Sequence, residues 1–187
     1  MTTVQRVRVP ASILYAILYL YCSMPKLVWL GPGLVLVLLG LVLRVWAAGH
    51  LKKFQGLTVS GPYRRTRNPL YLGSFLVGLG FTVAGAQPWL IGLFLLLFFA
   101  LYFPVIRMEE REMEGLGDSY KAYRAAIPRF LSLPGRRRVL PPEATAAEGR
   151  EFQWERVISN REYRAVVWAL ILGSAILIKF QLARGSL

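Results

Sequence analysis

NPLYLGSFLVGLGFTVAGAQPWLIGLFLLLFFALYFPVI, Asn68–Ile106, contains no charged residue. A helix needs about 20 apolar residues to cross a hydrocarbon core of roughly 30 Å, so this run suffices for two crossings. Gly85 and the Gln87-Pro88 pair interrupt it near its middle, and proline suits the first turn of the helix that follows. The run therefore predicts a helical hairpin, Pro69–Gly85 and Pro88–Ile106, with both free ends on the same side of a membrane.

Working outward, Val9–Pro25 and Leu27–Leu43 are further uncharged runs. Pro25-Lys26 and a Gly31-Pro32-Gly33 turn are expected to separate them. Downstream, Ala165–Ile178 is shorter, and Lys179 can snorkel so that the apolar stretch continues to about Ala183. With 55% hydrophobic residues arranged in blocks, the chain reads as an all-α integral membrane protein forming a single membrane domain over residues 1–187. About five transmembrane helices are expected, at about 9–25, 30–48, 69–85, 88–106 and 165–183. A cleavable signal peptide is not expected, because no small-residue cleavage site follows the first run and a second run comes quickly after it.

The net charge of +13 is distributed unevenly. Lys and Arg occur at Arg6 and Arg8, at Lys52, Lys53, Arg64, Arg65 and Arg67, and densely from Arg107 to Arg164; the alternate loops carry little beyond Lys26. By the positive-inside rule this predicts a cytoplasmic N-terminus, a cytoplasmic segment 107–164 and an external C-terminus. The same charge attracts anionic lipid headgroups. No soluble basic domain is present to make nucleic acid the partner, and no obligate protein partner is implied. The lone Cys22 excludes a disulfide framework and the lone His50 a histidine cluster, so no metal centre is expected.

All ten acidic residues lie between Glu109 and Glu162. The segment 107–164 thus has mixed charge and is expected to fold over the membrane surface. Glu109–Tyr123 reads as helical with a break near Gly115 and Gly117, and Pro128-Arg129-Phe130 as a turn back. Residues from Pro134 to Glu148 read as surface loop. FQWERVISNREYR, Phe152–Arg164, reads as an amphipathic helix lying on the headgroups.

GPYRRTRNPLYLG, Gly61–Gly73, opens the hairpin. Asn68 suits a helix N-cap and Pro69 the first helical position. The free amides and positive end of that helix then stand beside Arg64, Arg65 and Arg67, which makes an anion site. Positive-inside topology and interfacial tyrosines, Tyr63 and Tyr71, account for the same residues without a ligand. At the other end of the hairpin, Glu109-Glu110 follows a helix whose dipole disfavours them. Ionisable residues at membrane depth are costly and mark function; neutralisation by Arg107 and Arg111 is the alternative. A hairpin brings Asn68 and this acidic pair to the same end, where an anion-attracting helix start opposite carboxylates suits a zwitterionic ligand.

Tyr120, Tyr123, Arg129 and Phe130 read either as a membrane anchor or as a lid with a charge-binding arginine. Lys52, Lys53 and Arg136–Arg138 read as headgroup contacts. Arg44, Trp46 and His50 stand at the end of the second span, with Arg44 either snorkelling or turned inward.

In order, GPYRRTRNPLYLG, a membrane hairpin, the pair EE and YKAYRAAIPRF resemble the integral membrane methyltransferases of the isoprenylcysteine carboxyl methyltransferase and phospholipid N-methyltransferase superfamily. LRVWAAGHL, Leu43–Leu51, resembles the segment preceding the motif there, so the resemblance covers about Leu41–Leu133. It implies an S-adenosylmethionine pocket at the cytoplasmic face, closed by the segment after the hairpin. Carried over by position, Arg67, Asn68, Pro69, Tyr71 and Gly73 would frame the cofactor, with Glu109 and Glu110 on its polar groups. Glu110, Arg129 and Tyr123 would serve catalysis, the last two on the substrate side. Asn68 stands where the family has histidine; an amide keeps capping and hydrogen bonding and loses imidazole chemistry. Residues after about Gly135 lie outside the recognised pattern.

Methyl transfer from a sulfonium needs an aligned, desolvated nucleophile more than acid–base groups. The implied acceptor is an amphipathic membrane lipid or isoprenoid, either a headgroup amine or an isoprenylcysteine-type carboxylate. Two other readings remain: a nicotinamide-dependent membrane reductase of the sterol reductase type, and a non-catalytic lipid-binding membrane protein.

Overall fold

The computed structural model describes residues 3–51, 56–130 and 151–185, with side chains described from Pro10 to Arg184 within those ranges. The side chains of Arg6 and Arg8, and residues Lys52, Lys53 and Arg136–Arg138, lie outside the described residues. Helices are the regular elements among those described: α1 (Thr3–Cys22), α2 (Leu27–His50), α3 (Pro69–Ala84), α4 (Pro88–Glu114), α5 (Asp118–Ala126), α6 (Trp154–Ser159) and α7 (Tyr163–Gly185), with a 3-10 turn at Gly61–Arg64. The all-helical expectation holds. By length and composition α2, α4 and α7 can cross a membrane, while Pro10–Cys22 and α3 are shorter apolar helices.

The chain forms two compact units. The first contains residues up to Leu41, Ser74–Val105 and Arg164–Leu187. Its core is built from Tyr19, Val37, Phe81, Leu90, Ala169 and Ile176. Helices α2 and α3 touch at glycine: a Cβ on Gly33 would lie 2.6 Å from the Gly80 carbonyl oxygen, and one on Gly80 2.6 Å from that of Gly33. Small residues at such crossings let backbones approach in an apolar medium, where dispersion rather than water exclusion drives association. The hairpin expectation is met, with α3 and α4 joined by Gly85–Gln87 and Ala86 adopting φ 54°. Phe75 packs on Phe98 with centroids 5.1 Å apart, and Gly78 sits against the Phe94 ring, which sets the antiparallel pairing.

Among the described residues of this unit, buried side-chain polar atoms have partners, as a low-dielectric surround requires. The Tyr19 hydroxyl donates to the Phe81 carbonyl at 2.5 Å, and the Tyr15 hydroxyl lies 2.9 Å from Thr82 Oγ1. As expected, the last helix continues past Lys179, and the Lys179 Nζ donates to the carbonyls of Leu20 and Tyr21 at 2.6 and 2.9 Å. Those carbonyls belong to the last turn of α1, which has no helical partners for them, so the ammonium caps that end.

Two local expectations are overturned. Gly31-Pro32-Gly33 is not a turn, since Pro32 lies inside α2; the chain breaks only at Ser23–Lys26, which contains the expected Pro25-Lys26. Pro32 is close enough to the start of the helix that the hydrogen bond it forfeits is near the orphan amides of the first turn. Phe152–Arg164 is not one helix. It breaks at Asn160–Glu162, where Arg161 adopts φ 59°. The break is stabilised by what its side chains reach: Asn160 Nδ2 donates to the carbonyls of Ala48 and Leu51 at 3.1 and 3.2 Å, terminal acceptors of α2.

The second unit contains Val42–Gly73 and Ile106–Tyr163. Val59, Tyr120, Tyr123 and Ile127 form its buried apolar cluster. The predicted interruption of Glu109–Tyr123 falls between α4 and α5, at Gly115–Gly117, where Gly117 has φ 74°.

Candidate functional site in the second unit

The stretch from Gly61 to Asn68 folds against the segment that ends α5. The Arg67 amide donates to the Pro128 carbonyl at 2.9 Å, and Thr66 Oγ1 donates to the Arg129 carbonyl at 3.0 Å. The Tyr123 hydroxyl donates to the Tyr63 carbonyl at 2.8 Å. Three connections therefore fix the loop before α3 to residues about 60 positions later. The entry to this loop is fixed by Gly61, which has φ 57°, and a Cβ there would lie 2.4 Å from the His50 ring. Only glycine meets both demands at low cost. His50 Nδ1 in turn lies 3.0 Å from Ser60 Oγ.

Helix α3 starts at Pro69 as expected, and the Asn68 carbonyl accepts the Leu72 amide at 3.0 Å. The Asn68 side chain reaches across to another element. Its Nδ2 donates to Glu110 Oε1 at 3.0 Å and lies 3.3 Å from the Arg129 carbonyl. Asn68 and Glu110 are 42 residues apart in the chain. Both are buried.

Glu110 is the centre of the arrangement. Arg129 Nη2 donates to Oε2 at 2.6 Å, and Arg129 Nε lies 3.1 Å from both carboxylate oxygens. Arg67 Nη2 approaches Oε1 at 3.6 Å. Among the described residues, one carboxylate thus meets two guanidinium groups and an amide. The bond to Glu110 raises the Arg129 pKa further, so this guanidinium stays charged at any pH of interest. Glu110 is therefore held by protein partners, whereas Glu109 is exposed and accepts from the Tyr71 hydroxyl at 2.6 Å.

The remaining expected residues take clear places. Pro69 is fully buried, and Gly73 is buried in the first turns of α3. Tyr123 lies in the apolar cluster, and burial raises its pKa and that of Tyr63 well above the ordinary phenol value. Arg64 and Arg65 are exposed. A cleft of about 260 Å³ opens beside the Glu110 carboxylate, lined by Arg107, Glu110, Arg111, Glu114, Arg124 and Arg129. Arg124 is paired with Glu114 there.

Arg44 turns inward. Its Nη2 lies 2.7 Å from Glu162 Oε2, its Nε donates to the same oxygen at 3.0 Å, and its Nη1 donates to the Leu70 carbonyl at 3.3 Å. Arg44 thus ties the start of α3 to the residue before α7. Glu162 was not foreseen from the sequence, although it is an acid beside an apolar run, the same signal that singled out Glu109-Glu110.

Residues 28–116 match the family model of the phospholipid methyltransferases, a stretch just under half of the chain. The match takes in Gly61–Gly73 and Glu109-Glu110, and the family falls within the superfamily that the ordered motifs resemble. A similar curated protein is the cobalt-zinc-cadmium resistance protein CzcN of Cupriavidus metallidurans, 34% identical over 113 residues, covering 55% of this chain. The chain spans about half the length of that relative, 51%. No solved structure matches. Among the described residues no group of three or more His, Cys, Asp or Glu is placed to hold a metal ion.

Proposed function

We propose that the protein is an S-adenosylmethionine-dependent methyltransferase acting on an amphipathic acceptor held in the membrane. The observation that supports this most is the Glu110 cluster. Arg67 and Asn68 from the loop before α3, Glu110 from α4 and Arg129 from beyond α5 meet at one carboxylate. These are the separate segments that carry the family resemblance, and no single helix would gather them.

The residues fit a zwitterionic cofactor in kind. Buried guanidinium donors of Arg67 lack hydrogen-bond partners, and the nearby carboxylate of Glu109 is exposed. Arg67, Asn68, Pro69, Tyr71, Gly73, Glu109 and Glu110 are proposed to bind it. When bound, the cofactor supplies an electrophilic methyl group on sulfur.

The chain's own residues position and desolvate the acceptor. Arg129 anchors Glu110 and presents positive charge to the cleft, which suits an anionic acceptor group. Tyr123 holds the loop at Tyr63 on the substrate side. An amine acceptor would give up its proton to a carboxylate, Glu110 or its neighbour, whereas a carboxylate acceptor would need no base. The acceptor is proposed to be a lipid headgroup amine or an isoprenylcysteine-type carboxylate. The orientation proposed is multi-pass with a cytoplasmic N-terminus, and the site at the cytoplasmic face beside anionic headgroups.

Calorimetric titration of the purified protein with S-adenosylmethionine and with NADPH tests this reading. Binding of the former and methyl transfer from labelled cofactor into a lipid extract are expected. Binding of NADPH alone would replace it with a membrane reductase, and binding of neither with a lipid-binding protein.

A further inference from the structure

Four buried side-chain polar atoms among the described residues lack a hydrogen-bond partner: Thr58 Oγ1, Arg67 Nε, Arg67 Nη1 and the Tyr120 hydroxyl. Buried polar groups are nearly always paired, because desolvation without a partner is costly, and an orphan points to a water, an ion or a ligand. Three of these four atoms belong to two residues of the Glu110 neighbourhood. The Arg67 side chain is 10% exposed and Tyr120 is 1% exposed. Burial and then the Glu110 charge push the Tyr120 hydroxyl up, and Arg67, by its charge and its approach to the phenol oxygen, pulls it down; that approach falls short of hydrogen-bond geometry, so the Arg67 donors and the phenol proton stay without an acceptor.

The character of the missing partner follows from what is left over. A guanidinium only donates, and a neutral phenol beside it can donate as well, so the complement is an acceptor. Glu110 does not supply it. Its closest bonds go to Arg129 and Asn68, and Arg67 reaches it by one nitrogen at 3.6 Å, longer than a charge-assisted hydrogen bond. The tightest hold on Glu110 is thus taken by Arg129, and Arg67 is the guanidinium with idle donors. An anion offering planar oxygen acceptors would satisfy the orphans together.

We propose that the unpaired donors of Arg67 and the Tyr120 hydroxyl form the seat of a ligand carboxylate. This makes Tyr120 a binding residue. The inference rests on the methyltransferase reading for the ligand's identity, where two carboxylates are available: the amino-acid end of the cofactor and a carboxylate on the acceptor.

The test uses the full-length protein in detergent micelles with Tyr120→Phe and Arg67→Lys, both retaining bulk, and folding is checked by thermal unfolding. S-adenosylhomocysteine and its decarboxylated analogue are titrated by calorimetry. If the cofactor is the source, each variant weakens S-adenosylhomocysteine by about tenfold or more, the effect of a lost bond to a charged group, and leaves the analogue unchanged. If the acceptor is the source, cofactor affinity is unchanged and KM rises for carboxylate acceptors only. Acetate against chloride at equal ionic strength provides a readout independent of the enzymatic reading, and acetate is expected to raise Tm in the wild type but not in the variants. Wild-type protein that binds no cofactor yet responds to acetate defeats the methyltransferase reading and retains the carboxylate seat. Equal responses of wild type and variants to every ligand overturn the seat and leave these atoms to water.

Discussion

The guanidinium of Arg129 grips the carboxylate of Glu110 with Nη2 2.6 Å from Oε2 and Nε 3.1 Å from both oxygens. The pair is asymmetric in its dependence. Arg129→Gln leaves Glu110 with Arg67 and Asn68, but Glu110→Gln takes the carboxylate away from two guanidinium groups at once. Breaking a buried pair costs roughly 3–5 kcal/mol, and the partial exposure of Arg129 reduces this to about 2–3 kcal/mol for Arg129→Gln. Denaturant unfolding should show the larger loss for Glu110→Gln, accompanied by loss of S-adenosylmethionine affinity. Unchanged affinity in both variants would remove the cluster from the cofactor site.

Asn68 offers a test of sign. Asn68→Ala removes a hydrogen bond to a charged acceptor and should cost about 1.5–3 kcal/mol. Asn68→Asp keeps the shape but sets a second carboxylate against Glu110, so it should be the less stable of the two at neutral pH. Acidification should narrow the difference as one carboxyl becomes protonated. An aspartate variant as stable as wild type at pH 7 contradicts the assigned contact.

Arg44 and Glu162 should be coupled. A double-mutant cycle with Arg44→Met and Glu162→Gln is expected to give a coupling above about 1 kcal/mol, larger than exposed pairs show. A coupling near zero would mean that the pair does not persist in the membrane.

Gly61→Ala should destabilise by at least about 1–2 kcal/mol through its left-handed backbone alone, with the His50 ring contact adding to this. The double variant with His50→Ala relieves the contact and keeps the backbone strain, so only part of the stability should return. Full return would show that the backbone conformation itself is not demanding.

Alkaline pH should unfold the protein through Tyr63 and Tyr123. Burial raises both phenols above the ordinary value near 10. A group with a raised folded pKa stabilises fully below its unfolded pKa and loses that contribution as pH rises through the folded pKa. Stability should thus be flat with respect to these residues up to about pH 10 and fall above it. Tyr123→Phe should lower neutral stability by about 1 kcal/mol through the Tyr63 carbonyl it leaves and make the alkaline fall less steep.

The hairpin was legible because charge-free length and a central Gly-Gln-Pro break are strong local signals, and both are intrinsic to the chain. The meeting of Asn68 with Glu110 was legible for the same reason, since a hairpin returns its ends to one side. The break at Asn160–Glu162 was not. Residues 152–164 have helical spacing, and what overrides it is tertiary: the Asn160 amide on the end of α2 and Glu162 on Arg44. Gly31-Pro32-Gly33 misled for the opposite reason, because Pro32, the sixth residue of α2, forfeits only a hydrogen bond next to the orphan amides of the helix start. Tyr120 read as an anchor or lid since nothing in the sequence distinguishes a satisfied hydroxyl from an orphaned one.

The family match ends at residue 116, but Arg129, which holds Glu110, Tyr123, which holds the loop before α3, and Glu162, which holds Arg44, all lie beyond it. The matched stretch therefore supplies Arg67, Asn68 and Glu110, while the tightest hold on that carboxylate comes from a residue outside it. Transplanting residues 28–116 into another protein would move Glu110 with Arg67 and leave Arg129 behind, just as it would move Arg44 without Glu162.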